Sequence, residues 1–92
     1  MNVYEKAKLA WREDKQIVAA IEELNECSAA LARFINGKCS TRDVEEELAD
    51  AEIMLEQMRL YFPSYSIDRI KKEKLARLER RLDPIESESE GE

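Results

Sequence analysis

Histidine is absent from this 92-residue chain, and glycine, proline and cysteine occur only twice each. Without histidine, Ser-His and Cys-His catalysis and the usual zinc-hydrolase ligand sets are excluded. So few glycines and prolines cannot serve a chain built from many turns, which disfavours an all-β fold. Cys27 and Cys39 stand 12 apart with no other soft ligand nearby, so they read as free thiols, not a zinc site or a disulfide framework. No apolar run approaches the roughly 18 residues of a membrane span. The opening segment carries Glu5, Lys6, Lys8, Arg12, Glu13 and Asp14 where a secretory signal needs an apolar core. These absences lead us to expect a cytoplasmic protein with no membrane partner. Any catalysis must use carboxylates, lysine or arginine, hydroxyls, thiols or a metal held by oxygen.

What is present is charge, unevenly spread. The chain has 21 acids and 15 bases, for a net charge of −6. Residues 1–65 carry 8 bases and 13 acids, residues 66–82 carry 7 bases and 3 acids, and residues 83–92 carry 5 acids and no base. The last block, rich in Ser and Glu, has almost nothing to bury and is expected to be a disordered acidic tail behind a single domain over 1–82. A domain this small rarely buries a large core alone, so self-association is expected.

The apolar pattern predicts an all-α fold, a small antiparallel bundle of about four helices completed by homo-oligomerisation. A short amphipathic segment spans 2–10. The second helix spans about 14–36, with Asp14 as a plausible cap, Gly37 as its left-handed terminator, and a seam of Ile17, Ile21, Leu24, Leu31 and Ile35. The third opens at Ser40 with Asp43 placed for a capping box, and its seam is Val44, Leu48, Ala51, Leu55 and Met58. It stops near Tyr61-Phe62-Pro63. The fourth spans about 66–82, with Ile67, Ile70, Leu75, Leu78 and Leu82 apolar, and Asp83-Pro84 ends it.

Two acidic clusters stand out: Glu22-Glu23-Leu24-Asn25-Glu26 and Glu47-Leu48-Ala49-Asp50. At about 100° per residue, Ala51, Met54 and Met58 fall within about 40° of Glu47. Glu47 therefore sits inside an apolar stripe, with Asp50 at its edge, whereas Glu45, Glu52 and Glu56 take the opposite face. An acid in a core stripe is costly unless paired or metal-bound. If the second and third helices are antiparallel neighbours, Glu23, Glu26, Glu47 and Asp50 can converge with no base of equal depth. Oxygen-only ligands then point to Mg²⁺, with Mn²⁺ as a substitute. The plainer alternative is a solvated face, with Glu22 near Lys15 and Glu26 near Arg33.

The order Glu22-Glu23-x-x-Glu26, twenty intervening residues, then Glu47-x-x-Asp50 resembles the EExxE…ExxD signature of the MazG-like all-α NTP pyrophosphatases. The stretch from Glu46 to Gln57, and the closing Lys74-Leu75-x-Arg77-Leu78-x-x-Arg81-Leu82, resemble the small phage-type members. The resemblance covers about residues 3–82. It implies hydrolysis of an NTP or dNTP to the monophosphate and pyrophosphate by a helical homodimer or homotetramer. It also implies Mg²⁺ on Glu23, Glu26, Glu47 and Asp50, with Glu22 supporting them or orienting water.

Substrate contacts are expected from Lys71, Lys74, Arg77 and Arg81 on the basic fourth helix, unless these pair with surface acids. Trp11 can stack on a nucleobase or cap the bundle end. Asn25 can bond a base or ribose, or be a surface polar residue. Tyr61, Phe62 and Tyr65 are expected to seal the loop around Pro63. Two rival readings are a non-catalytic homo-oligomeric helical adaptor and a nucleic-acid binder using the fourth helix. The net negative charge and the acidic tail speak against the second.

Overall fold

The computed structural model describes the backbone of residues 1–90 and the side chains of residues 1–83. The protein is all-α, with helices α1 (Val3–Ala10), α2 (Glu13–Ile35), α3 (Thr41–Met58) and α4 (Ser64–Glu90) and no strand among the described residues. It divides into two compact units, Met1–Phe62 and a second beginning at Pro63.

Local chemistry sets the helix ends of the first unit. Asn2 Oδ1 accepts the Glu5 N–H at 2.9 Å and caps α1. α2 starts on Arg12 with no side-chain cap, and Asp14 lies within its first turn instead of capping it. There Asp14 meets Arg12 in an exposed ion pair at 3.1 Å, and an acid in the first turn also favours the helix dipole. At the other end Gly37 takes φ 68°. Its N–H donates to Phe34 O at 3.0 Å and the Lys38 N–H to Arg33 O at 2.8 Å, a complete Schellman motif. Ser40 and Asp43 form the expected capping box: Ser40 Oγ accepts the Asp43 N–H at 3.1 Å, and Asp43 Oδ2 accepts the Ser40 N–H at 2.9 Å.

α2 and α3 pack as an antiparallel hairpin. Gln16 near the start of α2 shares a cavity with Gln57 near the end of α3, while Glu23 and Glu26 meet Glu47 further along. The contact line on α2 is Gln16, Ala20, Glu23, Cys27 and Ala30, of which all but the half-buried Glu23 are buried. This corrects the expected seam. Ile21, Leu24, Leu31 and Ile35 stay exposed, Ile35 at 83%. On α3, Ala51 and Gln57 are buried and Val44, Glu47, Met54 and Met58 half-buried, but Leu48 and Leu55 are exposed. Small side chains won the contact because they let two helix backbones approach closely. α1 joins through Gln57, which is 3% exposed and whose Nε2 donates to Tyr4 O at 3.0 Å. Lys8 Nζ adds a bond to Leu60 O at 3.1 Å and lies 5.5 Å from the centre of the Tyr61 ring. Of the three aromatics expected to seal the loop, Tyr61 is half-buried, but Phe62 and Tyr65 are exposed.

α4 starts at Ser64 and its helical backbone continues to Glu90, past the stop expected at Asp83-Pro84. An internal proline removes one donor and crowds the carbonyl four residues back, which burdens a helix locally without ending it. Gly91 and Glu92 lie outside the described residues. No helix among the described residues is long and apolar enough to cross a membrane.

Candidate functional site

Two acids on the hairpin's contact line, Glu23 and Glu47, meet a third at its edge, Glu26. One carboxylate oxygen each from Glu23, Glu26 and Glu47 lies within 4.8 Å of the others. Glu23 and Glu47 are half-buried and Glu26 is exposed. Glu23 Oε2 and Glu47 Oε2 are removed from solvent with no hydrogen-bond partner. A buried, donorless carboxylate oxygen is costly, and two of them side by side compound the cost.

The electrostatics agree. Burial pushes the Glu23 carboxyl above its ordinary value, and the neighbouring charges of Glu26, Asp50, Glu47 and Glu22 push it further in the same direction. Asp50 is exposed and outside the three-residue cluster, yet close enough to act on Glu23. Glu22 is exposed and exerts the smallest of these effects. Neither Glu22–Lys15 nor Glu26–Arg33 forms an ion pair among the described residues. The donors are oxygens alone, crowded and short of positive charge. That set suits a hard divalent cation such as Mg²⁺ or Mn²⁺.

Beside the carboxylates lies an apolar cavity of about 320 Å³, lined by Tyr4, Trp11, Gln16, Ala19, Met54 and Gln57 among others. Ala19 is one turn before Glu23, and Met54 one turn after Asp50. Trp11 is 52% exposed. Asn25, by contrast, is exposed and falls about 160° round α2 from Glu23, away from the cluster. Sequence reasoning passed over Gln16, Tyr4 and Gln57. Gln57 carried a readable signal, because Glu47, Asp50, Met54 and Gln57 recur at steps of 3, 4 and 3.

In the second unit, Lys71 and Lys74 line an apolar groove on α4 with Ile67, Ile70, Leu75 and Leu78. Arg77 and Arg81 are exposed. No protein-family model, no curated protein and no solved structure matches this chain.

Proposed function

We propose that this protein is a Mg²⁺-dependent nucleoside triphosphate pyrophosphohydrolase of the MazG-like kind, converting an NTP or dNTP to the monophosphate and pyrophosphate. One observation carries the reading: Glu23, Glu26 and Glu47 converge with two buried oxygens that no protein donor satisfies. Glu23, Glu26 and Glu47 would hold the cation, with Asp50 as the fourth acid. When bound, it supplies neutralisation of the phosphate charge. Water adds to the α-phosphorus, the bond to the bridging oxygen breaks, and pyrophosphate leaves. With no histidine, the water's proton passes to a carboxylate, and Glu22, exposed beside the cluster, is the proposed acceptor.

The apolar cavity by Trp11 is the proposed seat of the nucleobase. The near edge of its lining, Ala19 and Met54, is one helical turn, about 5.4 Å, from Glu23 and Asp50, which fits a ligand whose phosphates sit on the acids. The unit is proposed to work as a homodimer or homotetramer in the cytoplasm, and the exposed leucines and isoleucines of α2 and α3 support self-association. The same exposed surface also suits a non-catalytic adaptor, and a direct assay separates the two. Purified protein is incubated with a panel of NTPs and dNTPs, with and without Mg²⁺. Monophosphate plus pyrophosphate, lost on chelation, is the expected product pattern. Orthophosphate release, or no turnover with either Mg²⁺ or Mn²⁺, would refute the reading.

A further inference from the structure

The α2–α3 hairpin has two unlike sides. At about 100° per residue, Leu24, Leu31 and Ile35 lie a quarter turn or slightly more to one side of Glu23, and Leu48 and Leu55 lie a quarter turn to the same rotational side of Glu47. Because the helices are antiparallel, both quarter turns open on one side of the hairpin. Glu26 and Asp50 fall about 60° the other way and open on the opposite side. The apolar side is therefore free of the carboxylate site. It is exposed and edged on α3 by the exposed acids Glu45 and Glu52.

α4 carries a complementary surface. Ile70, Leu75, Leu78 and Leu82 form an exposed apolar stripe. Lys71 and Lys74 lie within that stripe, in the groove lined by Ile67, Ile70, Leu75 and Leu78. A helix with such a stripe takes most of its stability from covering it. Residues 66–82 hold 7 bases and 3 acids, against 8 bases and 13 acids in residues 1–65. Two hairpins meeting face to face would set acidic edge against acidic edge. A basic helix on the hairpin sets unlike charges together.

We propose that the apolar side of the α2–α3 hairpin is the docking surface for α4 of a second copy of this chain, in a reciprocal exchange between two protomers. The leucine stripes bury one another, and Lys71 and Lys74 reach the acidic edge at Glu45 and Glu52. This specifies the self-association proposed above and assigns Lys71 and Lys74 to subunit contact instead of substrate. It does not depend on the catalytic reading.

The test is sedimentation equilibrium of the full chain and of two variants, Leu78→Glu on α4 and Leu24→Glu on the hairpin. Each variant alone is expected to lose association by at least about tenfold, and an equimolar mixture to recover a heterodimer, because one intact hairpin then meets one intact α4. Circular dichroism checks that each variant stays helical. If either is unfolded, Lys71→Glu/Lys74→Glu and Glu45→Lys/Glu52→Lys replace them, again expected to associate only when mixed. A Leu78→Glu chain that dimerises like wild type would overturn the docking and leave self-association standing. A monomeric wild-type chain would overturn both.

Discussion

Two carboxylate sites on the same hairpin are built in opposite ways. At its turn, Asp43 accepts hydrogen bonds from the Ser40 N–H and from Ser40 Oγ, each at 2.9 Å. Those bonds, the backbone one foremost, hold its carboxyl below the ordinary value. At its middle, Glu23 and Glu47 each bury an oxygen with no donor, and Glu23 is raised. The first acid is satisfied by its own backbone and fixes where α3 begins. The second pair receives no donor for either buried oxygen. An acid that finds its donors locally has a structural role, whereas buried acids without donors carry a cost that the proposed cation would offset.

The largest expected effect separates the two sites outright. Glu47→Gln should lower Mg²⁺-dependent pyrophosphate release by at least about a hundredfold while the far-ultraviolet dichroism is unchanged. Because the substitution removes a crowded charge, the metal-free variant should melt at the same temperature as wild type or higher. A cooperative fold lost on that change would assign Glu47 a structural role instead. Next comes the cation itself. Mg²⁺ at about 100 times its Kd should stabilise the wild-type chain by about 2.7 kcal/mol, read as a rise in melting temperature, and leave Glu23→Gln/Glu47→Gln nearly unmoved.

At the turn, Ser40→Ala should cost about 1 kcal/mol in denaturant unfolding and leave turnover intact. A Ser40→Ala chain that loses activity at full stability would erase the contrast. The smallest effect is in pH. A raised carboxyl favours the fold when protonated, so the Glu23 contribution is present below its ordinary 4.5 and is lost as pH rises through its higher folded value. Metal-free wild type should therefore gain stability as pH falls from neutral towards 4.5, and Glu23→Gln should not. Asp43 acts in the opposite sense. Its contribution is present above 3.8 and disappears as pH falls through its lower folded value. Melting temperatures across that range, with Ser40→Ala as reference, resolve the two.

Features governed by neighbours in sequence were legible before any coordinates. The capping box at Ser40, the left-handed Gly37 and the placing of Glu47 on the packing stripe of α3 all follow from local spacing. What failed were choices between competing surfaces. α2 has one face of small residues, Ala20, Cys27 and Ala30, and another of large ones, Ile21, Leu24 and Leu31. Hydrophobicity points to the large face, yet close helix approach selected the small one. The end of α4 failed for a related reason, because the proline rule is a local preference that a long helix can override. The three-acid cluster was legible as a set, but Asp50's standing apart depends on how far α3 rotates, which spacing alone does not fix.

The two sides of the hairpin are separated by a single step in the chain. Glu23 faces α3, and Leu24, its immediate neighbour, belongs to the exposed apolar side. Losing one residue from α2 ahead of Glu23 would turn the rest of the helix by about 100° relative to its start. That would present leucines where the carboxylates converge, carry Glu23 away from α3, and leave Asn25 and Ala32 where the apolar surface lies. Reading frame within this helix, more than the identity of any one side chain, keeps the two surfaces apart. Single-residue deletions in α2 should therefore be tolerated far less well than most substitutions there.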